Sequence, residues 1–255
     1  MADDDSRAMH PIARTALNAE VEWEMFDPDT YWSTNYGTLR SDDAEIIDIV
    51  KEFFAGTRMP IGSARAIDVG TGANLYPALT MLPYSSRVTL FERAHSNRAW
   101  LRQELARPRM SWLDFWREMS EGYPHYQAIE HPLDRLRRRA LVERGNVFSL
   151  TPNHYEIATM FFVAESITTE HEEFCRAMRL FVNSLVRGAP FASAFMRGSS
   201  GYTVAGQKFP ACWVDENDVA EALTPVARDV RITHVNSEGL REGYHGMMVA
   251  TGFKR

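Results

Sequence analysis

Ala66-Ile67-Asp68-Val69-Gly70-Thr71-Gly72-Ala73-Asn74-Leu75-Tyr76 decides how this chain folds. A short apolar run, Ala64 to Val69, meets Gly70-Thr71-Gly72 and then a helix-forming stretch from about Asn74 to Met81. That order reads as a strand turning sharply into a helix. Such a turn brings backbone N–H groups close to a ligand, and the helix N-terminus behind it favours an anion. A dinucleotide site asks for a third glycine at position 75, to let the helix pack closely, and Leu75 stands there instead.

Outward from the turn, Arg87 to Glu92 is a second strand, and Glu92 follows Gly72 by twenty residues. An acid at that strand end can accept hydrogen bonds from both hydroxyls of a ribose. With Asp68 two residues before the first glycine, the pair points to a nucleoside ligand. Adenine would then lie beside the end of the third strand, near Gly145-Asn146-Val147, with the Asn146 side chain as acceptor for its amino group. The periodicity predicts further helices from Ser41 to Gly56, Ser96 to Leu105, after a Thr169/Glu172 capping box, and from Glu216 behind Asp215. Further strands are expected at Ala140 to Phe148, Tyr155 to Val163, Ala189 to Met196, Arg228 to Val235 and Gly246 to Phe253. Strands alternating with helices imply a parallel sheet covered on both faces. The last two leave no room for a helix between them and must pair antiparallel. The expectation is an α/β, Rossmann-like, seven-stranded sheet of the class I methyltransferase type, with an antiparallel C-terminal hairpin and an N-terminal lid. A methyltransferase turn carries its acid where Asp68 stands, and its third glycine would fall at Asn74.

The residues also resemble a named group, the small-amine methyltransferases that include nicotinamide, phenylethanolamine and indolethylamine N-methyltransferases. Phe26-Asp27-Pro28-Asp29-Thr30-Tyr31-Trp32, followed by Asn35-Tyr36, resembles that family's F-x-P-x-x-Y-L-x-x-Y-Y opening. Asp68 to Tyr76 resembles its D-I-G-S-G-P-T-I-Y turn, and Gly201 to Phe209 its Y-Y-M-I-G-E-Q-K-F stretch. The resemblance covers almost the whole chain from Phe26 and implies S-adenosylmethionine as cofactor. It divides the chain into an N-terminal helical lid segment, 1–60, and a methyltransferase domain, 61–255, with a helical insertion at about 108–139. The cofactor-binding set it implies, together with the turn, is Tyr31, Tyr36, Asp68, Gly70, Thr71, Gly72, Asn74 and Tyr76. Glu92, Arg93, Asn97, Asn146, Val147 and Phe161 complete it. One departure bears on substrate: no carboxylate stands between Phe191 and Gln207, where the family holds an amine, unless Glu165 or Glu242 substitutes.

Composition excludes other classes. The chain has 255 residues, 45% apolar and 24% charged, which is globular rather than disordered. A net charge of −6 provides no broad cationic surface for nucleic acid. An acidic start, Met1-Ala2-Asp3-Asp4-Asp5, and a longest apolar run of only Ile157 to Ala164 predict a cytoplasmic protein without leader or membrane span. Cys175 and Cys212 alone make no disulfide framework or zinc cage, the histidines show no ligand spacing, and no metal is expected. A small-molecule substrate and a monomer or weak homodimer follow as the expected partners.

Methyl transfer from a sulfonium expels a neutral leaving group, so the protein must chiefly place a nucleophile and exclude water. Tyr31 and Tyr36 are expected to form the excluding lid, with Tyr31 touching both ligands. The substrate wall is expected from Phe162, Phe195, Met196, Ser200 and Tyr244, with His245 as base if a proton must leave. Phe161 and Phe162, adjacent in a strand, should face opposite sides of the sheet. The leading reading is an enzyme that methylates nitrogen on a small aromatic or heterocyclic amine. An O-methyltransferase of a small phenol or acid, a nicotinamide-dependent oxidoreductase and a catalytically silent partner protein are the other readings.

Overall fold

The computed structural model describes residues 16–235 and 246–255. Its strands are β1 (Ala64–Val69), β2 (Ser85–Glu92), β3 (Ala140–Arg144), β4 (Ile157–Phe161), β5 (Pro190–Met196), β6 (Tyr202–Val204), β7 (Gln207–Phe209), β8 (Ala227–Val235) and β9 (Met247–Lys254). Its helices are α1 (Pro28–Asn35), α2 (Ser41–Gly56), α3 (Tyr76–Met81), α4 (His95–Ala106), α5 (Trp112–Ser120), α6 (Pro124–Gln127), α7 (Pro132–Arg139), α8 (His171–Asn183) and α9 (Glu216–Leu223). Seven strands form one sheet in the order β3-β2-β1-β4-β5-β9-β8, and β6-β7 is a separate hairpin. The first five are parallel to their neighbours, while β9 runs antiparallel to both β5 and β8.

Alternation along each strand sends side chains to two cores. Ala66, Val88, Ile157 and Ala194 face the layer built by α2, α3 and the insertion helices. Ile67, Ala158, Phe191 and Met248 face α8 and α9. The insertion Trp112 to Arg139 is three short helices, and Trp112, Phe115, Trp116 and Met119 give α5 one buried face.

Two of the shifts from the expected boundaries have a clear local cause. β3 stops at Arg144 because the Asn146 side chain accepts the Phe148 N–H at 3.1 Å and starts a 3-10 turn over Val147–Ser149. The Thr169/Glu172 capping box does not form. Thr169 Oγ1 instead accepts the Ala16 N–H at 2.9 Å, while the Thr169 N–H donates to the Ala16 carbonyl, and α8 begins at His171. Ala16, which clasps Thr169, belongs to the N-terminal segment expected to be a helical lid. Residues 16–26 are a strap packed against the sheet's C-terminal edge.

Helix α2 buries Ile46, Ile47, Val50 and Phe54 and carries Asp42 and Asp43 in its first turn. Carboxylates suit a helix N-terminus, yet both of these are buried. Burial and the Asp42 charge push the Asp43 carboxyl up to about 7, while the Tyr76 hydroxyl and Arg40 pull the other way. An acid with a raised folded pKa stabilises the fold below the ordinary carboxylate range and loses that contribution as pH climbs toward 7. Asp43→Asn should therefore gain several degrees in melting temperature relative to the parent between pH 5 and pH 8. A constant difference across that range in thermal melts would contradict the assignment.

Candidate active site

The turn is built by backbone constraint. Parallel register pairs Val69 with Phe91, so the Gly70 N–H donates to the Phe91 carbonyl at 2.7 Å. Gly70 and Gly72 have φ of 68° and 57°, conformations that glycine adopts without steric cost. A Cβ on Gly70 would also lie 2.6 Å from Val163 Cγ2. The Thr71 hydroxyl donates to the Asp68 carbonyl at 3.0 Å, and Asn74 Oδ1 accepts the Tyr76 N–H at 3.1 Å as α3 starts.

Glu92 closes the turn. Its carboxylate accepts the Gly72 N–H and the Ala94 N–H, each at 2.8 Å. Burial raises its pKa, while these N–H groups and the Asn97 side chain hold it back. An ionised carboxylate accepts about four hydrogen bonds, so acceptor capacity remains beyond the two backbone donors. No cation pairs with this carboxylate among the described residues; the nearby Arg98 guanidinium reaches the Glu92 backbone carbonyl instead. A ribose diol fits that unfilled acceptor capacity, and the residues present fit an adenosyl group.

The cleft crosses the C-terminal ends of β3, β2, β1 and β4 in that order. This is where ligands sit on open parallel sheets. Gly145, Asn146 and Val147 line it beyond β3, Glu92, Arg93 and Asn97 beyond β2, and Gly70, Thr71, Gly72 and Asn74 beyond β1. Phe161 and Phe162 line it beyond β4, with Tyr31 and Tyr36 reaching in from the N-terminal segment. Tyr31 and Tyr36 pack edge to face with centroids 5.9 Å apart. Helix α1 is fastened by Asp29, which accepts the Trp100 indole N–H at 2.9 Å and pairs with Arg109, whose guanidinium lies 4.3 Å from the Trp32 ring.

Several expected site residues lie elsewhere. Asp68 is under the turn, where burial pushes its carboxyl up to about 7. One of its oxygens accepts the Thr159 hydroxyl at 2.7 Å and the other has no partner among the described residues. Tyr76 is fully buried behind the cleft and braces Tyr36 and Phe161 with centroids 5.8 and 5.6 Å away. Phe195 does not line the cleft: strand alternation turns its ring into the α8 core, 6.1 Å from Phe174. Met196 does not line it either, its N–H donating to Glu165 Oε1 at 3.0 Å, and Ser200 is exposed away from it. Tyr244, His245 and Glu242 lie outside the described residues.

Phe162 corrects the expectation that it and Phe161 face opposite sides. Its φ is 58°, an uncommon conformation for a bulky residue, and it breaks strand alternation so that both rings line the cleft. Asn18, Trp23, Phe26, Ser166, Ile167 and Tyr202 also line it and were not expected there. Trp23 and Tyr202 both stack on Phe209, so the strap and the β6-β7 hairpin share one aromatic cluster. The aromatic run at 23–36 was the available signal for Trp23 and Phe26.

This sheet order with its antiparallel final pair, and a glycine turn closed by the buried acid at the end of the next strand, define a class I S-adenosylmethionine-dependent methyltransferase. The chain belongs to the NNMT/PNMT/TEMT family, whose model matches residues 15–254. No functionally curated protein matches it. Among solved structures it is similar to the 1,6-didemethyltoxoflavin-N1-methyltransferase of Burkholderia thailandensis, at 14% identity and a TM-score of 0.53, covering 89% of this chain and 84% of that one. It is also similar to the glycopeptide N-methyltransferase MtfA, at 13% identity and a TM-score of 0.54, covering 86% and 92%. The N-methyltransferase NodS of Bradyrhizobium japonicum matches at 10% identity and a TM-score of 0.51, covering 91% and 94%. At these identities the likeness is one of fold.

Gly70→Ala should lower the melting temperature by several degrees and abolish binding of S-adenosylhomocysteine. Pairing it with Val163→Ala should recover part of the stability, since that removes the clash but not the unfavourable φ. Unaltered binding by Gly70→Ala in calorimetry would show that the turn does not approach the ligand closely.

Proposed function

We propose that this enzyme transfers the methyl group of S-adenosylmethionine to a nitrogen of a small, uncharged aromatic or heterocyclic molecule. The observation that carries this reading is the make-up of the cleft wall. Beyond β4 it is aromatic, with Phe161, Phe162, Tyr31, Tyr36 and Tyr202, and Glu92 is the one carboxylate among the described lining residues. Among the described residues a cationic amine would find no counter-ion beside those rings, whereas a flat neutral ring gains stacking and apolar burial.

The cofactor supplies an activated methyl on a sulfonium whose departure needs no acid. The chain's own residues bind, orient and exclude water. Glu92 accepts the ribose hydroxyls while its backbone contacts hold it in place. Tyr31 and Tyr36, on the lid segment formed within residues 1–60, cover the cleft. Phe161 and Phe162 set the plane of the acceptor ring. A neutral ring nitrogen attacks without a base. Glu165 is fully buried beside the cleft-lining Ser166, with one oxygen unpartnered and its carboxyl pushed up to about 7 by burial. Mostly protonated below that pH, it is a poor counter-ion for an ammonium group. The lack of a carboxylate between Phe191 and Gln207 also favours a second reading, O-methylation of a phenol, which would need a base.

Calorimetric titration with S-adenosylhomocysteine should show one site, and Glu92→Gln should weaken it about tenfold or more, because charge-assisted hydrogen bonds are roughly twice as strong as neutral ones. No binding by the parent protein would overturn the cofactor reading. In a panel of acceptors, methylated product should appear with pyridine-type and aniline-type nitrogens ahead of alkylammonium compounds. Preference for phenols would favour the second reading instead.

A further inference from the structure

The adenine end of the cleft departs from what the sequence suggests. Asn146 Oδ1 accepts the Phe148 N–H at 3.1 Å and the Asn18 Nδ2–H at 3.2 Å. An amide carbonyl has two lone pairs, so this oxygen is filled and is not free for the amino group of a base. The backbone donor at Phe148 fixes which atom of the amide is oxygen. Asn18 is fixed in the same way, since its Oδ1 accepts from Arg93 Nη1 at 2.7 Å and from the Trp23 indole at 3.0 Å. Its own N–H is held by Glu173 Oε2 at 2.8 Å. Asn18 is 3% exposed and lines the cleft, although it lies on the strap and 128 residues from Asn146.

What remains on both amides is donor capacity. The second Nδ2–H of Asn18 has no partner among the described residues, nor have the two on Asn146. Adenine carries ring nitrogens that accept and an exocyclic amine that donates. An end wall whose acceptors are spent and whose donors are unspent matches the ring nitrogens.

We propose that Asn18 is part of the adenine subsite: together with Asn146 it presents amide N–H groups to the ring nitrogens of the cofactor's base, so the N-terminal strap reads the base as well as covering it. This deepens the adenosyl reading of the cleft and rests on it. Arg93 and Trp23 act as positioning residues, because their N–H groups occupy the Asn18 side-chain oxygen and so fix which side of the amide carries its donors. Closure of the strap and recognition of the base are then a single event.

Asn18→Asp separates recognition from fastening. It keeps an oxygen for Arg93 and Trp23 and removes the donors. Titration with S-adenosylhomocysteine should show affinity reduced about tenfold, or about 1.4 kcal/mol, in both Asn18→Asp and Asn18→Ala. The ligand-free melting temperature of Asn18→Asp should fall less than that of Asn18→Ala, since the bonds from Arg93 and Trp23 are kept and only the contact to Asn146 is lost. Unchanged affinity in Asn18→Asp, or a loss confined to Asn18→Ala, would make Asn18 a fastener only and overturn the proposal. On the unmutated protein, S-adenosylhomocysteine analogues with one ring nitrogen replaced by C–H (1-deaza, 3-deaza, 7-deaza) provide a test independent of folding. At least one should bind about tenfold more weakly, and that loss should vanish in Asn18→Ala. Equal affinity for all three analogues would overturn the proposal while leaving the adenosyl reading standing. Failure of the parent protein to bind S-adenosylhomocysteine would remove both.

Discussion

The parallel register of β1 against β2 is the constraint on which the site depends. Pairing Val69 with Phe91 places the Gly70 N–H on the Phe91 carbonyl, and the chain then reaches Gly72 just as β2 ends at Glu92. The Glu92 carboxylate can therefore accept the Gly72 N–H from one loop and the Ala94 N–H from the other. β3 is tied to the same point, because the Gly145 N–H donates to the Glu92 carbonyl at 3.1 Å. A side chain at position 145 would collide with the Phe91 ring. Three strand ends thus converge on one buried acid, and slipping the register would dismantle both the turn and its partner. Burying that charge costs free energy that backbone donors offset, and a ligand's hydroxyls would offset more.

Around this rigid floor the walls are aromatic and come from distant parts of the chain. Tyr76 in α3 braces Tyr36, which also meets Trp112 from the insertion at 6.2 Å, so the lid rests on the core rather than on the surface. The strap adds a second cover. Glu24 accepts the N–H groups of His95 and Ser96 at the start of α4, where the helix dipole favours a carboxylate. Both covers carry residues that line the cleft.

Local physics explains which features could be read from the sequence. β1, the glycine turn, α2 and the final antiparallel pair were legible because periodicity and turn chemistry are short-range signals. Asp215 capped α9 as expected, with its carboxylate accepting the Asn217 and Asp218 N–H groups. The places of Tyr31, Tyr36, Glu92 and Asn97 along the cleft were legible through spacing and resemblance. Phe195 was misplaced because strand parity depends on where the strand begins. Phe162 was misjudged because β4 ends at Phe161 and the next residue turns left-handed. Asn18 carried no local signal at all: its partners Arg93, Asn146 and Glu173 are brought to it only by the finished fold.

A crystal structure with S-adenosylhomocysteine bound tests the central claim most directly. The account predicts both ribose hydroxyls within hydrogen-bonding distance of the Glu92 carboxylate, with the base at Asn146 and the sulfur toward Tyr31 and Phe162. A ligand seated elsewhere, or a sugar held by another residue while Glu92 keeps only its two backbone partners, would contradict it.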